Sequence, residues 1–303
     1  MEDFSGKLAV ITGGATGIGR ALARQLAEAG CSVAMCDVSA ERMAASADLA
    51  RAGAPQGVQV STFVANVAER ARMEAWRDAT LKEHGTDHIH LLFNNAGISG
   101  GGSFVTEQES EWERVFNICW KGVYNAARAF LPALIKAPEA RLINVSSVNG
   151  FWASIGPGRP HTAYSAAKFA VKGFTEALQE DLRLNAPHVG ASVVMPGHIG
   201  TKIAENSLAA ADVTAMTEQQ RTDEAQFAAF FEQSGLDPEE AARIILDGVR
   251  ARRWRILVGP DAAVMDREVR ANPERAYEEA FWRERILPDM PGFKALAELR
   301  GED

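Results

Sequence analysis

The regular alternation of short apolar runs with helical periodicity leaves this chain few possible folds. Residues 8–11, 32–36, 58–64, 89–93, 141–145, 191–195 and 255–258 read as strands, most of them apolar along their whole length. Helical patterns fill the intervals: 17–29, a stretch ending near 52, 69–83, 109–135 with a break, 162–184 and 238–251. Strands with little polar alternation are covered on both faces, which in one sheet calls for parallel strands joined by crossover helices. The expected class is α/β, a doubly wound parallel sheet of about seven strands with helices on both faces. No linker or repeat divides the chain. One domain is expected from residue 1 to about 261, followed by a C-terminal helical extension, 262–303.

Charge and apolar content narrow the partners. A formal net charge of -8 disfavours nucleic acid and anionic membrane. No apolar run reaches the ~18 residues of a membrane span. Met1-Glu2-Asp3-Phe4 lacks the basic-then-apolar form of a secretion signal. Cys31, Cys36 and Cys119 have no CxxC spacing and read as reduced, buried thiols. A cytoplasmic location with no nucleic-acid or membrane partner is expected.

The first strand runs into Thr12-Gly13-Gly14-Ala15-Thr16-Gly17-Ile18-Gly19, which opens a helix. Glycines let backbone approach a pyrophosphate, and a helix N-terminus favours its charge. Gly13, Thr16, Gly17, Ile18 and Gly19 are therefore candidate dinucleotide contacts. Asp37 closes the second strand, where a carboxylate accepts hydrogen bonds from an adenosine ribose and repels a 2′-phosphate. No Arg or Lys lies in 11–18, and Arg42, the nearest basic residue after Asp37, reads as a solvated helix residue. The pattern points to NAD rather than NADP. Asn94-Asn95-Ala96-Gly97 ends the fourth strand, and strand ends line the ligand crevice of such sheets. Asn94, Ala96 and Gly97 are expected there, the small residues leaving room for the ribose.

Tyr164 and Lys168 lie one helical turn apart on one face. An ammonium near a phenol favours the phenolate, lowering tyrosine from its ordinary pKa of ~10. The pair is a candidate acid/base. With the glycine turn, Asn94-Asn95-Ala96-Gly97, Asn117, Ser146-Ser147 and Pro196-Gly197 in order, the chain resembles the short-chain dehydrogenases/reductases over about 4–261. The resemblance implies a Rossmann-like sheet, a nicotinamide cofactor and reversible oxidation of an alcohol to a ketone or aldehyde. It implies that Tyr164 moves the hydroxyl proton and that Lys168 holds the nicotinamide ribose and tunes Tyr164. Ser147 would hydrogen-bond the substrate oxygen, and Asn117 would hold a water linking Lys168 to solvent. Ser147 is preferred to Ser146 because the second serine matches the family pattern, leaving Ser146 to point away as alternate strand residues do. Pro196, Gly197, Ile199 and Thr201 are implied to face the nicotinamide. Asn66 and Val67 are implied near the adenine, Asn66 standing where the family usually has Asp. Homodimers or homotetramers, built through the long helices around Asn117 and Tyr164, are likewise implied.

The substrate is left to the loops. Residues 148–163 form a connection longer than the usual family spacing, in which Phe151 and Trp152 could give the cleft an apolar wall. His161 and His198 lie beside the catalytic segments and are further candidate substrate contacts. A lid is expected over about 200–235, and its Ile203, Leu208, Val213, Met216, Phe227, Phe230 and Phe231 point to a fairly bulky apolar secondary alcohol or ketone. In the extension, Tyr277, Phe281, Trp282 and Ile286 suit one helix over 270–286 with a buried stripe. His84, Asp87, His88 and His90 have residue types that bind zinc, but they sit at a helix end without a catalytic set, so solvated residues and no metal are expected. The leading reading is an NAD-dependent alcohol dehydrogenase or ketone reductase. An NADP-dependent carbonyl or acyl-thioester reductase is opposed by Asp37. A non-catalytic dinucleotide-binding regulator is opposed by the set Asn117, Ser147, Tyr164 and Lys168.

Overall fold

Successive side chains of a strand point to opposite faces of its sheet, and here both sets are apolar. The computed structural model describes residues 1, 3–156, 158–203, 205, 207, 218, 228–230 and 232–289. Among them are seven strands: β1 (Leu8–Thr12), β2 (Ser32–Asp37), β3 (Val60–Val64), β4 (Leu91–Asn94), β5 (Ala140–Val145), β6 (Val189–Pro196) and β7 (Arg255–Val258). They form one sheet in the order β3-β2-β1-β4-β5-β6-β7, and every neighbouring pair is parallel. The helices are α1 (Gly17–Glu28), α2 (Ala40–Ala52), α3 (Arg70–Glu83), α4 (Glu109–Phe116), α5 (Gly122–Lys136), α6 (Thr162–Asn185), α7 (Pro238–Arg250) and α8 (Pro260–Ala271).

The alternation divides the core in two. Ala9, Ile11, Val33, Met35, Leu91 and Phe93 pack on one face against α1, α2 and α7. Leu8, Val10, Ala34, Cys36, Leu92 and Leu142 pack on the other against α3, α5 and α6. Trp76 of α3 meets Phe130 of α5 edge-on, with centroids 4.9 Å apart. Each fully buried large apolar side chain contributes about 1.5–3 kcal/mol, so the doubly covered sheet is the main source of stability. Cys31, Cys36 and Cys119 are free and buried. No helix among the described residues is long and apolar enough to cross a membrane.

Two expectations change in detail. The long helix read over 109–135 is α4 and α5 joined by a π turn, Asn117–Lys121, in which Gly122 N–H bonds to Asn117 O. The wider turn is the break, and it begins at Asn117. The single helix expected over 270–286 does not form. Pro273 cannot continue a helix, and α8 ends two residues earlier at Ala271. A short helical piece at Glu279–Phe281 and a second π turn, Trp282–Ile286, follow. Phe281 and Ile286 are buried as the stripe required, whereas Tyr277 is exposed. Of the expected lid, Leu208, Val213, Met216, Phe227 and Phe231 lie outside the described residues. Ile203 and Ser207 are helical, and Ser207 Oγ accepts from Ser99 N–H at 2.8 Å.

The C-terminal segment is docked on the loop after β5. Trp152 Nε1 donates to Ala276 O at 2.8 Å, and Ala153 N–H to the Tyr277 hydroxyl at 3.1 Å. Val148, Trp152, Ala262, Met265, Phe281 and Ile286 form a separate buried cluster there. Trp152 is its hub, 1% exposed. Trp152→Ala is expected to cost about 3–5 kcal/mol by leaving a cavity and orphaning Ala276 O. Denaturant unfolding checks this, and a loss under 1 kcal/mol would mean that the segment is not held through this residue.

Candidate active site

Strand C-termini of a parallel sheet collect at one edge, and the crevice opens where the strand order reverses, here between β1 and β4. A cleft of about 660 Å3 runs along that edge. At its centre β1 and β4 are tied together. Thr12 Oγ1 accepts from the N–H groups of Asn95 and Ala96, each at 3.0 Å. Asn95 Nδ2 returns to Thr12 O at 3.1 Å and Gly13 O at 3.2 Å.

The glycine turn crosses this knot. Gly13 has φ +70°, and a Cβ on it would stand 2.8 Å from Ala96 Cα. A Cβ on Gly19 would stand 2.0 Å from Gly13 O, so Gly19 lets α1 close onto the turn and is itself behind the cleft surface. Gly13, Thr16, Gly17 and Ile18 line the cleft. The first turn of α1 receives no side-chain cap from Thr16, whereas Ser39 caps α2 and Asp237 caps α7. Uncapped N–H groups beside a glycine cradle are the donor set that a pyrophosphate requires. Asp37 faces the same end. Its Oδ1 accepts from Val38 N–H at 2.8 Å and Ser39 N–H at 3.3 Å, and its Oδ2 from Ala15 N–H at 3.3 Å. Asn66 and Val67 line this end too, with Arg42.

The expectation for Asn94 is corrected. Its side chain turns into the sheet and donates to Asn144 Oδ1 at 2.8 Å, and Asn95 takes the place on the cleft with Ala96 and Gly97. Alternation along the strand end decides between the two asparagines. Phe151 and Trp152 are also corrected. Both lie behind the cleft wall in the cluster that docks the C-terminal segment, with the Arg255 guanidinium over the Phe151 ring at 5.7 Å. Trp152 is fully enclosed in that packing, and Phe151 is partly buried against it.

Ser147, Tyr164 and Lys168 meet at the end of β5. Ser146 donates to Lys168 O at 2.7 Å, so the first serine fastens α6 to the strand. Ser147 instead caps a short 3-10 turn, its Oγ accepting from Asn149 N–H at 3.2 Å, and its hydroxyl is near enough to the Tyr164 phenol to favour the phenolate. Lys168 is 3% exposed and gives Nζ to Val145 O at 3.0 Å. Its ammonium lies 5.3 Å from the Tyr164 ring centroid. Burial pushes the Tyr164 phenol up from its ordinary value, with Cys119 adding to the rise and the Ser147 hydrogen bond opposing it. Burial likewise pulls Lys168 down. The expected lowering of Tyr164 by Lys168 is therefore outweighed in this structure. Desolvation acts on both groups, and Lys168 spends a donor on Val145 O rather than on the phenol. Asn117 is half-buried at the start of the π turn, apart from the cleft lining.

Pro196, Gly197, His198, Ile199 and Thr201 carry the wall past β6. Asp261, unnoticed in the sequence, fixes that wall. Its carboxylate accepts from His198 N–H at 2.5 Å and fills the space in which a side chain on Gly197 would lie. Burial pushes this carboxyl up. An acidic residue just past the last strand is the signal, the same logic that picked out Asp37. His161 stacks on Tyr164, centroids 4.6 Å apart and rings 16° from parallel. Its Nδ1 is buried without a hydrogen-bond partner among the described residues. Of the other histidines, His84 pairs with Ser61, His88 with Thr86 and Asp87, and His90 Nδ1 accepts from Leu8 N–H. Among the described residues no group of His, Cys, Asp or Glu is placed to hold a metal ion.

The family model for short chain dehydrogenases matches residues 7–212. The Mycobacterium tuberculosis protein SadH is 38% identical over 268 residues, which covers 88% of this chain and 91% of SadH. The 3-oxoacyl-[acyl-carrier-protein] reductase FabG of Thermotoga maritima is 32% identical over 243 residues, 80% of this chain and 90% of FabG. A short chain dehydrogenase/reductase from Burkholderia phymatum, solved in complex with NAD, superposes with a TM-score of 0.80 at 30% identity, covering 90% of this chain and 96% of that one.

The buried imidazole beside Tyr164 gives the site a pH signature. Burial pulls His161 from 6.5 down to about 4. The folded value lies below the unfolded one, so the stability it contributes is present above 6.5 and is lost as pH falls through about 4. His90, half-buried and also drawn down to about 4, adds to the same loss. His161→Gln is expected to lose less stability than the wild type as pH falls across this window. Denaturant unfolding at several pH values checks it, and equal losses would mean that His161 is not held neutral.

Proposed function

The chain belongs to the short-chain dehydrogenase family of oxidoreductases, and from that premise we propose that it interconverts a secondary alcohol and a ketone with NAD(H), Tyr164 serving as acid/base. The observation that carries the reading is one cleft with two chemistries. The uncapped glycine turn and Asp37 stand at one end, and Ser147 and Tyr164, backed by Lys168, at the other.

Bound nicotinamide supplies the hydride chemistry. The chain supplies position and the proton. In ketone reduction Tyr164, which burial keeps protonated, donates its phenolic proton to the substrate oxygen as negative charge develops there. Ser147 hydrogen-bonds the same oxygen. Alcohol oxidation reverses these transfers. Lys168 holds one donor on Val145 O, and its remaining donors serve the nicotinamide ribose. Asn117, at the π turn, holds the water that links Lys168 to solvent. Gly13, Thr16, Gly17 and Ile18 take the pyrophosphate side, Asn66, Val67, Ala96 and Gly97 the adenosine side, and Pro196, Gly197, Ile199 and Thr201 the nicotinamide.

Asp37 supports NAD(H) over NADP(H). A carboxylate already held by three N–H groups keeps lone pairs for ribose hydroxyls and repels a 2′-phosphate. The NAD complex of the Burkholderia phymatum relative supports the same choice. A second reading, an NADP-dependent carbonyl or acyl-thioester reductase, has specific support as well. Arg42 lines the cofactor end, and FabG is among the relatives. Against it, Arg42 faces Glu205 at 3.9 Å as well as Asp37's end of the cleft. Ile98, Ile118, Ile155 and Ile203 beside Tyr164's cleft support a fairly bulky apolar substrate. A cytoplasmic homodimer or homotetramer joined through α4 to α6 completes the reading, and the exposed Phe169 on α6 supports it.

Tyr164→Phe is expected to keep NADH binding and to lose about 10²–10⁴-fold in hydride transfer. Unchanged turnover, followed by NADH absorbance, would remove the proposed proton donor. In fluorescence titrations of the wild type, NADH is expected to bind at least about tenfold tighter than NADPH, roughly 1.4 kcal/mol. The reverse order would transfer the case to the NADP reading.

A further inference from the structure

We propose that the C-terminal segment sets which alcohols the enzyme accepts. Trp282 and Met265 form an apolar wall at the substrate end of the cleft, fitted to a flat apolar substituent, such as an aryl group, on the carbinol carbon. The proposal rests on the reading of Tyr164 above as the group that meets the substrate hydroxyl.

Both residues line the same cleft as Ser147 and Tyr164, although they follow the last strand of the sheet. The wall is held in place from behind. The Trp282 ring stacks on Trp152, centroids 5.6 Å apart and planes within 24°. Trp152 is in turn hydrogen-bonded to Ala276 O at 2.8 Å. On the loop that leads back to Tyr164, Gly156 has φ +109°, and a Cβ there would already touch the indole at 3.4 Å. The loop therefore passes alongside the Trp282 ring. Met265, 6% exposed, sits in the same buried cluster as Trp152.

An indole face held rigidly at a cleft favours an offset or edge-on aromatic ligand. A thioether beside it adapts to the ring edge. A polyol in this place would leave hydroxyls against apolar surface with lost hydrogen bonds. His161 gives this end a polar contact, since its Nδ1 lacks a partner, but it stands at Tyr164 and so at the reacting carbon. Beside Ile155, and with Ser154 and Arg159 as the polar residues of the adjoining loop, Trp282 and Met265 give the remote substituent its aromatic and thioether surface.

The test compares kcat/KM for 1-phenylethanol and 2-butanol with NAD, using the full chain as wild type, Trp282→Ala, Trp282→Phe and Met265→Ala. The aryl-to-alkyl ratio is expected to fall about tenfold or more in Trp282→Ala. It should stay within about threefold of wild type in Trp282→Phe, and fall in Met265→Ala. Thermal melts and NADH titration show which variants are folded. If Trp282→Ala does not fold, Met265→Ala carries the comparison. Parallel loss for both alcohols, or an unchanged ratio in the folded variants, overturns the proposal. If the wild type oxidises neither alcohol, the reaction reading falls separately, and calorimetric binding of acetophenone to the NADH complex decides the wall. Weaker binding in Trp282→Ala than in Trp282→Phe supports it, and equal binding overturns it.

Discussion

The knot between β1 and β4 organises everything that opens at this edge of the sheet. One threonine hydroxyl, on Thr12, receives two backbone N–H groups from the chain leaving β4, and Asn95 returns its amide to Thr12 O and Gly13 O. These bonds are part-buried, and losing a partner where water is partly excluded costs more than making the bond contributes in water. They fix the spacing of the two strands at which the sheet changes direction. Gly13 must then turn with positive φ, because Ala96 Cα occupies the space that a side chain would need. Once Gly13 has turned, α1 starts with its N–H groups aimed along the cleft, and Gly19 lets the helix settle onto the turn. The width of the crevice and the orientation of its anion-binding end thus follow from one set of hydrogen bonds.

At the opposite end burial sets the electrostatics. Lys168 is enclosed, tied to Val145 O and, through its own carbonyl, to Ser146. Tyr164 is flanked by His161 and shares the cleft with Ser147. Desolvation disfavours the charged form of each ionisable group, so the phenol rises and the ammonium falls. The pair is consequently less polarised than a lysine and tyrosine one turn apart on an exposed helix would be. A ligand that brings hydroxyls to Lys168 and positive charge near Tyr164 reverses both tendencies. The protein holds the geometry, and the charge balance is left to what binds.

How far this could be read from the sequence depends on the distance over which each decision is made. The doubly wound sheet was legible because its cause is repeated locally: Leu8 and Val10 against one face, Ala9 and Ile11 against the other, and the same in every central strand. The glycine turn and the Tyr164–Lys168 spacing were legible for the same reason, each being a constraint within a few residues. Asn94 and Asn95 mark the limit. The motif names both, but which one faces the cleft depends on where Asn144, fifty residues away, places its own amide. The helix expected over 270–286 failed where Pro273 overrode the apolar spacing. Trp152 read as a cleft wall because an aromatic residue near an active-site loop has two possible uses. Its partner, Ala276 O, is 124 residues distant and invisible to any local pattern. Asp261 was missed because its role is to meet a backbone N–H from another strand's loop.

Topology explains why distant residues converge on this site. β7 is parallel to β6, so the chain leaves it at the same edge from which β5 and β6 deliver Ser147 and the Pro196–Gly197 turn. Gly259, at φ +100°, then turns the chain into α8, and Asp261 in its first turn reaches back to His198 N–H. Anything appended after the last strand therefore arrives at the end of the cleft that holds Ser147 and Tyr164, whereas Gly13 and Asp37 lie across the sheet at the ends of β1 and β2. Residues beyond α8 pack on the loop after β5, through Val148 and Trp152, and not on Gly13, Asp37 or the knot at Thr12. A fold arranged in this way brings the segment after its final strand to the end of the cleft that holds Ser147 and Tyr164, while the glycine turn stays at the other.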